Sequence, residues 1–170
     1  VSGGRRAAVA APLLPGAGHW VSFRRWTLGG TVFVTSTPER RDPADIGGLV
    51  ERARLNVLLI VGAAFARPLL DDLESATYDL QSLTVLLSGG AALSVGLKEK
   101  FLEHLPSLIV VDGLGSSEAG GQLAHVPAAN RAATGSFALS PRHHAISPHP
   151  ARGPAARPDL LDGPARPGRS

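Results

Sequence analysis

The 170-residue sequence has no cysteine and no methionine, and aromatic residues make up only 5% of it. Without cysteine there is neither a disulfide nor a thiolate metal site. With so few rings, aliphatic side chains have to fill the core, and a hydrophobic fraction of 44% suffices for one. No apolar run approaches the roughly 18–20 residues of a membrane-spanning helix. Lacking methionine, the chain begins at Val1, so either an alternative start codon was used or the beginning is missing.

An excess of either charge is also missing from residues 1–135, which hold 12 Lys+Arg and 12 Asp+Glu. Residues 136–170 add five Arg and two Asp, so this tail supplies the whole net charge of +3 and the pI near 10.2. Nucleic-acid binding needs Lys and Arg clustered on one folded face, so no nucleic-acid partner is expected. Arg5-Arg6 before Ala7–Leu14 faintly imitates a twin-arginine or secretory signal, but Pro12 breaks the short Ala-rich run and no cleavage site follows. A buried strand is the preferred reading.

From Ala7 to about Ala119, strand-like and helix-like segments alternate. The run Ala7–Leu13 ends at the turn signal Pro15-Gly16. In Gly18–Thr27, Trp20, Phe23 and Trp26 recur every third residue, as on one face of a helix. Gly29-Gly30 separates this helix from a β-branched strand, Thr31–Thr35. Asp42-Pro43 supplies an N-cap and a first-turn proline for a helix whose apolar stripe is Ile46, Leu49, Val50 and Ala53. Asn56–Val61 and Leu83–Leu87 read as strands buried on both faces, and a helix over about Ala63–Ser75 separates them. Ser94 caps a helix through Leu97, Phe101 and Leu105, and Leu108–Val111 forms a further strand. Lys98-Glu99-Lys100 and Asp71-Asp72 read as solvated helix faces.

This alternation predicts a mostly parallel α/β sheet, whose ligands sit beyond the carboxyl ends of its strands. Two glycine-containing runs fall at such ends. In Ser88-Gly89-Gly90-Ala91, small residues would let backbone N–H and C=O groups approach a flat ring; the alternative is a plain strand-to-helix turn. In Asp112-Gly113-Leu114-Gly115-Ser116-Ser117-Glu118, a hydroxyl beside a carboxylate suits a magnesium–phosphate site; the alternative is a capped loop. Gly115–Ala119 is also G-x-S-x-A, one residue from a hydrolase nucleophile elbow, but acid and histidine do not follow in the required order. The six histidines show no metal-ligand spacing. Residues 136–170 hold seven of the 14 prolines without apolar periodicity and are read as a disordered tail.

In order and together, these runs resemble the acyl-CoA synthetases of the adenylate-forming superfamily, closest to bacterial fatty-acyl or steroid-side-chain CoA ligases. The resemblance spans about Val9 to Gln122. Ala11–Trp20 is similar to the family's P-L-x-H-G-x-G-H-W stretch, Gly29–Val32 to its next strand entry, Leu87–Ala91 to its adenine-binding turn and Asp112–Glu118 to its aromatic-G-x-T-E core. It implies a partial parallel-sheet subdomain of the family's N-terminal domain over residues 1–135. His19 and Trp20 would line the acyl pocket. Gly89, Gly90 and Ala91 would contact adenine and Leu114 would lie against its face, with Asp112, Gly113 and Gly115 also among the residues that bind the cofactor. Ser117 would hydrogen-bond the α-phosphate and Glu118 would hold magnesium.

The chemistry so implied is cytoplasmic: carboxylate and ATP give an acyl-adenylate, which CoA captures. Pro15 stands where the family has His, and Leu114 where it often has an aromatic ring. The family's phosphate loop with its lysine would lie before residue 1; its T-G-D ribose motif, hinge and C-terminal lid do not follow. From about Ser136 the composition resembles GC-rich DNA read out of frame, so a truncated or frameshifted product, inactive alone, is expected. Exposed sheet edges would then make it poorly soluble. Two rival readings are a non-catalytic adenine-nucleotide or acyl-binding module and a protein that binds partners through its basic tail. Nothing in the sequence indicates an oligomeric state.

Overall fold

The structure, a computed structural model, describes residues 5–14, 16–36, 40–91, 93–116 and, as backbone, 120–125. The expected phosphate and magnesium residues Ser117 and Glu118, and the tail 136–170, lie outside the described residues. Four β–α units come first: β1 (Arg6–Val9), α1 (Ala17–Thr27), β2 (Thr31–Val34), α2 (Pro43–Ala53), β3 (Val57–Ile60), α3 (Gly62–Ser75), β4 (Val85–Gly89) and α4 (Val95–His104). Then come β5 (Ile109–Ser116) and β6 (Gly120–His125). The sheet order is β2-β1-β3-β4-β5-β6, parallel from β2 to β5 and antiparallel at β5–β6. This is the expected α/β architecture.

Caps and periodicity account for the helices. Asp42 Oδ1 accepts the Ala44 and Asp45 N–H groups at 3.0 and 3.4 Å, with Pro43 at the first helical position of α2. Ser94 Oγ likewise accepts the Leu97 N–H at 3.4 Å to open α4.

Topology fixes which face each helix covers. β1 lies between β2 and β3, so the chain winds one way from β1 to β2 and the other way from β2 on to β5. Right-handed crossovers then put α1 on one face and α2–α4 on the other. Packing agrees. Ala8, Leu58, Ile60, Leu86 and Val110 join Ile46, Val50, Phe65, Leu69 and Phe101 in the main core. Val9 and Leu59 of the strands, with Ala11 just beyond β1, pack instead with Ala17 and Val21 of α1.

Three expectations change. The strand read over Ala7–Leu14 ends at Val9, and Leu13 and Leu14 are exposed, because Pro12 has no N–H for a ladder. Trp20, Phe23 and Trp26 share a face of α1 as predicted, but that face is 40%, 50% and 53% exposed. α1 presents Gly18 and Ser22 to the sheet instead. Finally, the last strand does not stop at Val111 but runs to Ser116, because β6 turns back and pairs with it, with a register irregularity between Leu114 and Gly115.

The close seat of α1 generates a test. A Cβ on Gly18 would stand 2.7 Å from the Pro12 carbonyl oxygen and 2.9 Å from Val9 Cγ1. Gly18→Ala should therefore lower the unfolding free energy by about 1–3 kcal/mol, read as a lower urea midpoint. That sign is opposite to the roughly 1 kcal/mol that alanine gains over glycine in an unobstructed helix.

Candidate active site

Because β1, β3, β4 and β5 are parallel, their carboxyl ends open on the same edge of the sheet. Winding reverses at β1, so its boundary with β3 is the switch point where such sheets leave a crevice. The glycine turn after β4 stands one strand further along. In register, Ser88 faces Asp112 and Gly89 faces Gly113, so the two glycine runs picked out in the sequence are side by side.

The first turn is held from beneath by Ser88, whose side chain is buried. Its Oγ accepts the Gly62 N–H at 3.2 Å, and its O–H donates to the Ala91 carbonyl at 2.6 Å. One hydroxyl thus ties the ends of β3 and β4 together. Gly90 has φ of 73°, a left-handed conformation that glycine adopts without penalty, and the backbone at Gly90 and Ala91 is exposed. Gly89 is buried, and a Cβ there would lie 3.0 Å from the Ala17 Cβ, so the start of α1 abuts this turn.

The second run differs from expectation in its side chains. Asp112 turns its carboxylate inward: Oδ2 is 2.5 Å from Lys98 Nζ, and Oδ1 accepts the Leu93 N–H at 3.2 Å. Both members of the pair are 1% exposed. Lys98 is therefore not on a solvated helix face, and a ligand at position 112 would meet backbone rather than carboxylate. The misreading has a visible signal. Lys98 stands three residues before Phe101 and so shares its buried face, while Asp112 is a lone acid after three apolar residues. Beyond it, Gly113 has little over its Cα and Leu114 is 47% exposed. An apolar blade beside thin, exposed backbone fits one face and one edge of a planar heterocycle.

The other predicted residues are placed apart from these turns or outside the description. His19 stacks on Trp20 at 5.3 Å between ring centroids and tilts against Phe23 at 4.8 Å, within the aromatic row of α1. The helix itself approaches β1, β2 and the β6 backbone. Ser88, Lys98 and Leu93 are the organising residues to which no role was assigned from sequence. Among the described residues two ionisations are displaced, neither in a glycine turn. The Tyr78 hydroxyl is raised by its hydrogen bond to Asp72, and the Arg25 guanidinium is lowered by burial beside Arg5 and Arg24. Among the described residues, no three His, Asp or Glu side chains gather as a metal site, and no helix is long and apolar enough to cross a membrane.

Comparison with known proteins now bears on this edge. The chain is 37% identical over 138 residues to the medium-chain acyl-CoA ligase Mig of Mycobacterium avium, covering 81% of this chain and 25% of that protein. It is 41% identical over 114 residues to a Mycolicibacterium smegmatis ligase described as medium/long-chain-fatty-acid–CoA/3-oxocholest-4-en-26-oate–CoA ligase, covering 64% and 20%. It thus spans about a quarter or less of the length of these relatives.

In fold it is similar to the nonribosomal peptide synthetase FmoA3 in its AMPPNP-bound form, with a TM-score of 0.67 at 23% identity over 79% of this chain and 15% of that one. A long-chain-fatty-acid-CoA ligase from Archaeoglobus fulgidus gives 0.63 at 20% identity over 72% and 26%. The family model of the AMP-binding enzymes matches residues 2–144, and with the parallel sheet and its paired glycine runs this means that the chain belongs to the AMP-binding, adenylate-forming enzyme family.

Proposed function

We propose that residues 1–135 supply the adenine end of the nucleotide site of an acyl-CoA synthetase, within a partial adenylation domain. The observation that carries this is the register Ser88–Asp112 and Gly89–Gly113. It sets two thin, glycine-containing backbones beside an exposed Leu114 at the carboxyl edge of the sheet. In the proposed arrangement adenine lies between Gly89–Ala91 and Asp112–Gly115, read by backbone groups and packed on Leu114. His19 and Trp20, next to the start of α1, belong to the acyl side.

The reaction proposed for the whole enzyme is attack of an acyl carboxylate on the α-phosphate of ATP, giving acyl-adenylate and pyrophosphate, then thioester formation with CoA. Ser117 donates to the α-phosphate, where fixed donors act on charge as it develops. Glu118 is the residue that would hold magnesium, a hard cation suited to a carboxylate, whose charge offsets that of the phosphates. Relatives that act on medium- and long-chain fatty acids and on a steroid side chain support an aliphatic carboxylate as substrate. A cytoplasmic setting is part of the same proposal.

Three experiments test it. Purified chain titrated with AMP should show saturable heat of binding, and a flat titration by folded protein would overturn the reading. Gly90→Val puts a β-branched residue at a φ of 73°, which costs on the order of 1–2 kcal/mol and crowds the turn. It should weaken AMP about tenfold, the equivalent of about 1.4 kcal/mol. Ser88→Ala would leave the Gly62 N–H and the Ala91 carbonyl without their shared partner. It should lower both the AMP affinity and the unfolding free energy, the latter by about 1–3 kcal/mol.

A further inference from the structure

Lys98 and Asp112 form a fully buried ion pair that the nucleotide reading leaves unused. Lys98 comes from α4, Asp112 from β5, and the second carboxylate oxygen accepts the N–H of Leu93, where the loop that begins at Gly90 ends. Three separate pieces of chain therefore meet at one carboxylate. Holding α4 to the sheet does not need this pair. Desolvating two charges offsets much of their attraction, and apolar residues of similar volume serve as well or better. What an apolar pair lacks is direction. A carboxylate fixed by Lys98 offers the Leu93 N–H an acceptor at one place only, and so fixes the loop containing Gly90 and Ala91 against Gly113 and Leu114.

We propose that Lys98 and Asp112 are positioning residues for nucleotide recognition: their ion pair sets the spacing of the two glycine runs, and with it the affinity for the adenine end of a nucleotide. This rests on the nucleotide reading above. Neither side chain touches the ligand. Each acts through the backbone it anchors.

The test uses the full chain with AMP as the probe and compares three readouts: AMP affinity by calorimetry, the urea midpoint, and hydrogen exchange of the Leu93 amide. Lys98→Met/Asp112→Leu removes both charges and leaves neither buried without its counter-ion, but it takes the acceptor from the Leu93 N–H, so the midpoint should fall by no more than one unmet donor accounts for. AMP affinity should fall about tenfold, and Leu93 exchange should quicken by a similar factor. A folded leucine variant that binds AMP as tightly as the parent overturns the proposal.

Should that variant not fold, Lys98→Met/Asp112→Asn, which keeps an acceptor for Leu93, decides. Faster Leu93 exchange together with weaker AMP binding supports the proposal. Faster exchange at unchanged affinity, or no change in either, overturns it. A flat titration of the parent chain overturns both readings. Binding by the parent and an equally tight leucine variant removes the positioning role alone.

Discussion

Parallel pairing is the constraint on which the rest of this molecule depends. Four neighbouring strands running the same way must finish at one edge, and the chain must leave that edge each time to cross over the sheet. Backbone separated by tens of residues in sequence is thereby brought together in space: Gly62 just after β3, Gly89 at the end of β4 and Gly113 within β5 belong to three neighbouring strands. No side chain has to recruit them. Reversal of winding at β1 then opens this edge by sending α1 to the face opposite α2–α4, so the edge is bounded on one side by a helix start and on the other by the β5–β6 hairpin.

Polar groups at that edge are few and each does more than one job. Ser88 uses its hydroxyl both as acceptor and as donor, and Asp112 uses both carboxylate oxygens. Such networks stabilise little in net terms, because burying them is costly unless every group is satisfied. Removing one member is another matter, about 3–5 kcal/mol for a buried pair left half broken. Their contribution is therefore to select one arrangement of the backbone among several of similar energy, a property that a cradle of glycines, which tolerates many, does not have by itself.

Much of this was legible in the sequence, for physical reasons that can be named. Asp42-Pro43 and Ser94 cap helices because their chemistry is local, and the apolar runs at 57–60 and 85–87 become central strands because only burial on both faces suits them. The glycine run at 89–91 fell at a strand end, whereas the run at 112–115 lies within β5, which continues to Ser116, and the β4–β5 register sets it beside the first. What stayed hidden depends on partners far away in sequence. Nothing local says that Lys98 reaches Asp112, and a lysine between Leu97 and Glu99 reads as solvated until the sheet is in place. β6 was missed because Gly120–His125 carries no strand-like apolar pattern, its pairing being dictated by β5. The aromatic spacing of α1 was read correctly as a face and said nothing of whether that face is covered.

The two faces of the sheet divide the work of folding and function. On the α2–α4 side a continuous cluster runs from Ala8 to Val110 and contains nearly all the large buried aliphatic side chains. On the α1 side the buried cluster is Val9, Ala11 and Leu59, packed under Ala17 and Val21 of a helix that also turns Gly18 and Ser22 inward. The first face can hold the sheet together without help from the second. Contacts on the second are few and small, which leaves α1 and the turns beside it the easiest parts of the described chain to open locally. The carboxyl edge is fixed from below by Ser88 and Asp112 and left thin above, where Gly90 and Leu114 are exposed.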